Sequence, residues 1–213
     1  MSLIKENFLT AMGIDTWVSR GADCTKNNSW ENLQKEISIC RACSLHQTRT
    51  QTVFGVGSQT ADLMFIGEAP GFHEDQQGEP FVGRAGQLLD NMLRAINMDR
   101  EKVFIANILK CRPPNNRDPA PTEVAACTSF LIRQITAIQP KLLVALGRIA
   151  AHYLLNTKIP IGQIRGKIYS FGAGDLPTPL IVTFHPAYLL RSPREKSKAF
   201  QDLQLICRTL GTL

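Results

Sequence analysis

Long hydrophobic runs are absent from this chain of 213 residues, and apolar stretches such as residues 142–146 are far too short to span a bilayer. The first six residues lack the basic-then-apolar order of a signal peptide. Internal repeats and low-complexity tracts are missing as well. We therefore expect a cytoplasmic protein without a membrane partner, long enough to bury a core of its own.

Acidic residues are fewer than basic ones in this sequence. There are 18 Asp and Glu against 24 Lys and Arg, which gives a net charge of +6 and a pI of about 9.1. This balance favours an anionic partner such as nucleic acid, although many basic proteins bind none. The hydrophobic content of 44% and the charged content of 20% are ordinary for a globular domain.

The chain has only one C-x-x-C motif, which Cys40 and Cys43 form. Disulfides are not expected in a cytosolic protein, so the motif alone indicates a redox pair or half of a zinc knuckle. Cys111 and Cys127 follow at positions from which a fold could gather four thiolates around zinc or an iron–sulfur cluster. A structural zinc ribbon usually has two such knuckles, and here there is one. Two cysteines remain. We expect Cys24 to have no particular role and Cys207 to be a core residue.

Alternating apolar and helical patterns predict an α/β domain. The predicted strands cover residues 62–67, 102–107, 141–147 and 180–184, with an edge strand at 167–171. The predicted helices cover residues 85–97, 123–138, 148–155 and 194–209. A further helix is predicted to begin at its cap, Ser29, and to run into Cys40 and Cys43. Such alternation indicates a parallel sheet covered on both faces. We expect residues 1–30 to be a variable N-terminal segment or linker and residues 31–213 to be the catalytic domain.

Three of the predicted strands end at residues that carry chemistry. The first runs into the Gly-rich loop 67–71, with Phe81 beyond it; the second ends at Asn107 and the fourth at His185. Each has an ordinary structural explanation, since Phe81 could plug the core, Asn107 could cap a turn and His185 could simply pack. However, the ends of parallel strands lie along one edge of a sheet, where ligands bind. The three together therefore favour a binding site.

An amide, an aromatic ring and an imidazole at one place suit a pyrimidine base. The Asn107 amide offers an acceptor and two donors to the C=O, N–H, C=O edge of such a base. The Phe81 ring could stack on its flat face. His185 could donate a hydrogen bond to an oxygen that becomes negative as a bond breaks.

Four sequence motifs follow one another along this chain. They are GEAPG at residues 67–71, PFVGRAGQLL at 80–89, NILKCRPP at 107–114 and HPAYLLR at 185–191, with cysteines at 40, 43, 111 and 127. With them, the sequence resembles the iron–sulfur uracil-DNA glycosylases, family 4 of the uracil-DNA glycosylase superfamily. The resemblance covers about residues 33–210, and the number of ordered motifs makes it highly specific.

The resemblance implies a three-layer α/β/α sandwich on a four-stranded parallel central sheet. It implies a monofunctional DNA repair glycosylase that excises uracil from single- or double-stranded DNA by hydrolysing the N-glycosidic bond, which leaves an abasic site. It also implies a [4Fe–4S] cluster on Cys40, Cys43, Cys111 and Cys127. We expect a monomer that acts on uracil-containing DNA. The sequence does not identify a replication or repair protein that would bind it.

The same resemblance implies roles for individual residues at the strand ends. The implied catalytic residues are Glu68, Asn107 and His185. The implied uracil pocket consists of Gly67, Ala69, Gly71 and Phe81 together with Asn107 and His185. The related family 1 enzymes have an Asp where this chain has Ala69, so Glu68 is the nearest carboxylate for activating water, and that role is a hypothesis. No lysine is set at the site to form a Schiff base, so strand nicking is not expected.

Basic and apolar residues around the site are expected to contact the DNA. The Tyr-Leu-Leu run at 188–190 suits a wedge that fills the gap left by a flipped base, or else it packs against the core. The expected DNA-contacting residues are Arg84, Arg112, Leu189, Leu190 and Arg191. Arg41 and Arg117 could contact phosphates as well, or all the arginines near the cysteines could form a solvated surface.

Other functions fit part of this pattern. A nucleic-acid-binding module could keep the fold and the cluster without catalysis, although intact Phe81, Asn107 and His185 argue against it. A glycosylase of the superfamily could prefer another damaged base, such as hypoxanthine. A member that links covalently to DNA would carry a loop histidine, and the corresponding stretch 162–167 has none. If the four cysteines bound zinc, the fold and the activity would change little.

Overall fold

The computed structural model describes residues 30–172 and 177–211. Its strands are β1 (Val56–Gly57), β2 (Leu63–Gly67), β3 (Phe104–Asn107), β4 (Leu142–Leu146), β5 (Ile168–Phe171) and β6 (Thr178–Thr183). They form one six-stranded sheet in the order β1-β3-β2-β4-β6-β5. The four inner strands run parallel, whereas β1 and β5 pair antiparallel at the two edges.

The sheet is therefore mixed and larger than the predicted four-stranded parallel sheet. Its inner strands match the prediction and β5 is the predicted edge strand, but β1 is absent from the prediction. β1 is only two residues long, which is too short to show a strand period. Gly57 has φ +119, and a Cβ there would overlap the carbonyl oxygen of Val103, so this edge requires a glycine.

Helices surround the sheet. The described α-helices are α1 (Trp30–Ile39), α2 (Phe72–Gln77), α3 (Arg84–Arg94), α4 (Pro121–Ile138), α5 (Arg148–Leu154), α6 (Ile161–Ile164), α7 (Pro186–Arg191) and α8 (Lys196–Leu210). Short 3-10 helices cover Ser44–Gln47, Pro114–Asn116 and Pro193–Glu195. α2, α6 and α7 were not expected, because four to six residues are too few to show a helical period. Within the described ranges, no helix has the length and apolar character needed to cross a membrane.

The predicted N-terminal segment falls almost entirely outside the described residues, and so does its Ser29 cap. The first described helix, α1, ends at Ile39, directly before the two cysteines into which the prediction extended it.

The two faces of the sheet are covered by different helices, as the alternation of strands and helices predicts. Phe65 belongs to a core cluster with residues of α3 and α8. The next residue, Ile66, points to the other face and belongs to a cluster with residues of α4 and α5. Each fully buried Leu, Ile or Phe contributes about 1.5–3 kcal/mol to folding. The three-layer α/β/α arrangement is confirmed.

The register of the inner strands determines which residues meet at the sheet edge. Gly67 and Asn107 are paired positions at the ends of β2 and β3. Leu146 and Thr183 are paired in the same way at the ends of β4 and β6. The loops that follow all four inner strands therefore leave the sheet at the same edge.

Candidate active site

A cleft of about 660 Å³ lies at this edge of the sheet, a volume typical of small-ligand sites. Its walls come from the loops after the four inner strands. Most predicted pocket residues line it, namely Glu68, Ala69, Gly71, Phe81, Asn107 and His185, and so does Arg191. The structure thus brings together residues that are up to 123 positions apart in the sequence, from Glu68 to Arg191. Gly67 stands directly behind the wall, against Asn107 and Phe81.

Asn107 is the last residue of β3, and its side chain is buried. Its Oδ1 atom has no hydrogen-bond partner among the described residues. A Cβ on Gly67 would overlap this oxygen, so the glycine allows the amide to lie flat against β2. A buried polar atom without a partner costs about 1–3 kcal/mol. The cleft therefore holds a ready acceptor for a ligand N–H group.

Phe81 is held in a fixed but strained position beside that acceptor. Its backbone has φ +56, which is unusual for a bulky residue. Arg100 donates hydrogen bonds to the carbonyl oxygens of Pro80 (3.0 Å) and Phe81. The Glu74 carboxylate accepts from the next two backbone N–H groups, at 3.0 and 3.1 Å. The Phe81 ring centroid lies 5.5 Å from that of His185, with the rings tilted by 31°.

His185 follows β6 and begins α7. Its Nδ1 atom accepts a hydrogen bond from the Ala187 backbone N–H at 3.1 Å. Burial and, to a smaller extent, the positive charge of Arg191 lower the pKa of His185 to about 4, with Glu74 acting in the opposite direction. The imidazole is therefore neutral at pH 7. Because Nδ1 accepts, the single ring proton is on Nε2, so the ring has one defined donor.

Glu68 lies half-buried on the cleft wall next to Gly67. The pKa of its carboxyl group shows an upward shift to about 7, caused chiefly by burial and also by the negative charge of Asp118. Arg148 offsets part of it and is itself paired with Asp118 at 2.7 Å. A carboxyl group with a pKa near the working pH can take up or release a proton during a reaction.

A second, smaller cavity is lined by all four cysteines of the predicted metal site, Cys40, Cys43, Cys111 and Cys127. Two donors point at sulfur atoms there. Arg49 Nη1 donates to Cys111 Sγ at 3.0 Å, and the Lys110 backbone N–H donates to Cys127 Sγ at 3.3 Å. Burial raises the pKa of Cys127 to about 11 and raises that of Cys111. A metal bound here would displace those protons.

Four cysteine sulfurs are ligands of zinc sites and of iron–sulfur clusters alike. In the described part of the chain, no three His, Cys, Asp or Glu side chains are placed to hold a single metal ion. In a four-iron cluster each cysteine binds a different iron atom, so the sulfurs stand further apart than the ligands of one zinc ion. Four cysteine side chains at one cavity are a ligand set that an iron–sulfur cluster uses.

The predicted DNA-contacting residues take up different positions. Arg84 is exposed at the start of α3, and Arg191 lines the cleft. Arg112 is half-buried, with its guanidinium group over the Phe72 ring. Arg41 is exposed, whereas Arg117 makes two hydrogen bonds to the Glu123 carboxylate, at 2.9 and 2.5 Å. That pairing makes Arg117 a poor phosphate ligand.

Leu189 does not belong to this set, and its prediction as a DNA wedge is wrong. Its side chain is 1% exposed and packs in the core with residues of α3 and α8. The Tyr-Leu-Leu run forms half of α7, and the helical period turns Leu189 inward. Leu190 is half-buried, and Tyr188 is 37% exposed and lines the cleft.

Several residues at the site were not expected from the sequence. Gly147 follows β4 with φ +92, and a Cβ there would lie 2.7 Å from the Cβ of His185. Lys110 is buried, and its Nζ donates to the Asn107 carbonyl oxygen at 2.8 Å and to Gln134 at 2.6 Å. Gly147 and Arg148 stand at the end of the third predicted strand, and this position alone could have indicated that they belong to the site. Lys110 gave no such signal, because its partner Gln134 is 24 residues away.

An α/β sandwich with an amide, an aromatic ring and a neutral imidazole at one strand-end cleft has the features expected of a protein that binds a pyrimidine base. The sequence model of the Uracil DNA glycosylase superfamily matches residues 54–204 of this chain. The chain belongs to that superfamily.

Within the superfamily, several type-4 uracil-DNA glycosylases are similar to most of this chain. The protein from Archaeoglobus fulgidus is 44% identical over 187 residues, covering 86% of this chain and 94% of that protein. The protein from Sulfurisphaera tokodaii is 41% identical over 184 residues, covering 84% of each chain. The protein from Thermotoga maritima is 44% identical over 169 residues, covering 79% of this chain and 86% of that protein. The predicted resemblance to family 4 is confirmed.

Proposed function

We propose that this protein excises uracil from single- or double-stranded DNA by hydrolysing the N-glycosidic bond, as the first step of base-excision repair. The observation that carries the proposal is the buried, unpaired Oδ1 of Asn107 at the cleft. This oxygen stands beside an aromatic ring and a neutral histidine. Similarity to type-4 uracil-DNA glycosylases over most of the chain supports it.

Asn107 selects the base in this proposal. Its Oδ1 accepts from N3–H of uracil, and its amide N–H donates to O4. Cytosine has an amino donor at position 4 and no N3–H, so both contacts would fail. A site built to hydrogen-bond one pattern rejects an analogue that leaves its buried groups unpaired. Thymine differs by one methyl group, so its exclusion is steric, and Phe81 or a side chain of the 67–71 loop provides it.

His185 stabilises the leaving group. When the bond between N1 and C1′ breaks, negative charge develops on the O2 atom of uracil. The Nε2–H of His185 donates to that oxygen, and the Ala187 N–H keeps the ring in the required tautomer. Burial keeps the imidazole neutral, so it acts as a hydrogen-bond donor rather than as an ion pair. Loss of one such donor typically costs about 10²–10³ in rate.

Glu68 activates the water that attacks C1′. The Asp of the family 1 enzymes is replaced here by Ala69, and Glu68 lies half-buried on the same loop. Its carboxylate form accepts a proton from water, and a pKa of about 7 makes that form available at neutral pH.

Cys40, Cys43, Cys111 and Cys127 would hold the [4Fe–4S] cluster. When bound, it would supply iron–sulfur bonds that cross-link the segment after α1, the segment after β3 and α4. Arg49 and the Lys110 backbone N–H donate to the sulfurs and would balance their negative charge.

In this proposal, Arg84, Arg112 and Arg191 contact the rest of the DNA. Because Leu189 is buried, Leu190 is the wedge that fills the gap left by the flipped base. We propose that residues 31–213 form the catalytic domain of a cytoplasmic monomer. The predicted lack of strand nicking fits the hydrolytic mechanism, because no covalent bond to the protein is formed.

Excision can be tested with a labelled single-stranded oligonucleotide that carries one uracil. Alkali and heat cleave a strand only where a base has been lost. We expect cleavage at uracil and none when thymine or cytosine replaces it. No cleavage by a cluster-loaded preparation would contradict uracil excision and favour the non-catalytic binding module or another damaged base, such as hypoxanthine.

A further inference from the structure

Phe72, the first residue of α2, exposes a large aromatic ring at the rim of the cleft. Its side chain is 52% exposed. Other large apolar side chains are exposed in the described part of the chain, including Ile39, Ile159 and Phe200. Phe72 differs from them because it directly follows Gly71, which lines the cleft, and precedes Glu74, which lines it too. Single exposed apolar residues are common and need no function, so the neighbours of the ring matter.

A cation lies over this ring. The guanidinium carbon of Arg112 is 5.1 Å from the Phe72 ring centroid. Arg112 Nε also donates to Asn116 Oδ1 at 2.8 Å, which holds the side chain in place, and Asn116 itself lines the cleft. The His73 ring meets Phe72 edge-on, with centroids 5.5 Å apart. The rim thus carries an aromatic ring with a guanidinium group over one of its faces, the Phe72–Arg112 platform, next to residues of the cleft wall.

We propose that the Phe72–Arg112 platform binds a second nucleobase, the one next to the uracil on the same DNA strand. The inference rests on the proposed function and adds a second binding position to it. Every base offers a flat face to an aromatic ring or a guanidinium plane, and the positive charge suits the adjoining phosphate. An unpaired neighbouring base is free to stack, so the platform favours single-stranded substrate.

Two properties of the platform favour a nucleobase over a protein side chain as its occupant. The platform lies next to the cleft, and it carries the positive charge of Arg112. Gly71, which precedes Phe72, and Asn116, which accepts from Arg112, both line the cleft, so the platform adjoins it directly. A protein partner would not require a cation to lie over the ring, whereas a nucleotide supplies both a π-face and a negative phosphate.

Affinity for oligonucleotides with altered neighbours tests the platform. The probe is a single-stranded oligonucleotide that carries one 2′-fluoro-2′-deoxyuridine, whose fluorine slows cleavage, with either normal or abasic residues on each side of it. We expect Phe72→Ala to bind the normal strand about 5- to 150-fold more weakly than the wild type. The wild type should lose a similar factor when the stacked neighbour is abasic, and Phe72→Ala should lose nothing further. Phe72→Trp should keep the wild-type affinity.

Phe200→Ala is the matched control, because Phe200 is 47% exposed on α8 and does not line the cleft. It should bind as the wild type does. Equal affinity of the wild type and Phe72→Ala, or an equal abasic penalty in both, would overturn the proposal. The same comparison on a strand with thymine in place of uracil separates the two ideas. If the wild type does not prefer uracil, the proposed function fails, while the abasic penalty still reports on the platform.

Discussion

Asn107 keeps a buried amide oxygen without a hydrogen-bond partner in the described residues, at a cost of about 1–3 kcal/mol. Phe81 adds backbone strain beside it, with φ +56. Both residues line the same cleft as a histidine that burial keeps neutral and a glutamate whose pKa burial raises. Unfavourable features that meet at one place indicate that the cleft is adapted for binding and chemistry rather than for stability.

The pH dependence of excision tests the role of Glu68. The pKa of Glu68 is raised to about 7, so its carboxylate form is lost as the pH falls through 7. If that form activates water, the single-turnover rate should reach a plateau above pH 8 and be roughly 100-fold lower at pH 5. His185 should not contribute, since its pKa is lowered to about 4 and the ring stays neutral at pH 5.

Glu68→Gln is the companion variant for this experiment. It should lower the plateau rate by about 10²- to 10⁴-fold and remove the dependence on pH between 5 and 8. A wild-type rate that does not change across this range, or a variant as fast as the wild type, would exclude Glu68 as the base.

At the scale of single elements, the strand ends depend on glycines that let side chains approach the backbone. A Cβ on Gly67 would overlap the Asn107 Oδ1 atom and lie 2.7 Å from the Phe81 ring. We expect Gly67→Ala to displace both side chains and to lower the rate of excision by about 10²-fold or more, since small misplacements at a site can cost that much. Single-turnover rates with thermal unfolding midpoints would measure the effect.

Gly162→Ala is the control, because nothing lies within 4 Å of a Cβ at Gly162. It should keep the wild-type rate and stability. A Gly67→Ala protein that is fully active would show that the contact between Gly67 and Asn107 has no part in placing the amide.

The sequence predicts the inner strands and the residues that follow them, because buried parallel strands are continuous apolar runs and their ends lie at one edge. Asn107, His185 and the loop with Phe81 were found in this way. The sequence left open whether Leu189 packs against the core or forms a wedge, because α7 is only six residues long and shows no helical period. Arg100 was missed because it reaches the Phe81 loop across 19 residues, a contact that no local pattern reports.

For the molecule as a whole, the cysteine cavity connects chain segments that are distant in sequence. Cys40 and Cys43 follow α1, Cys111 follows β3 and Cys127 lies on α4. Lys110, next to Cys111, is hydrogen-bonded to the carbonyl oxygen of Asn107, so the cavity and the cleft share one short stretch of chain. The sequence predicted that the four cysteines come together in one place, but it did not predict that Lys110 connects the cavity to the cleft.

The cluster can be tested with one cysteine variant and one control. Cys40→Ala should lose the brown absorbance and most of the iron, about four atoms per chain in the wild type, and its unfolding midpoint should fall. Cys207→Ala should keep the iron, because Cys207 packs in the core of α8 on the other face of the sheet. Full iron content in Cys40→Ala, or zinc in place of iron in the wild type, would contradict the assignment.

The most direct measurement is the single-turnover excision rate of Asn107→Leu on a uracil-containing strand, together with its unfolding midpoint. Leucine is similar in size but has neither the acceptor nor the donors that read the base. We expect the rate to fall by about 10³-fold or more, with the midpoint unchanged or raised, because an unpaired buried oxygen is removed. A rate close to that of the wild type would contradict the assignment of Asn107 as the residue that recognises uracil.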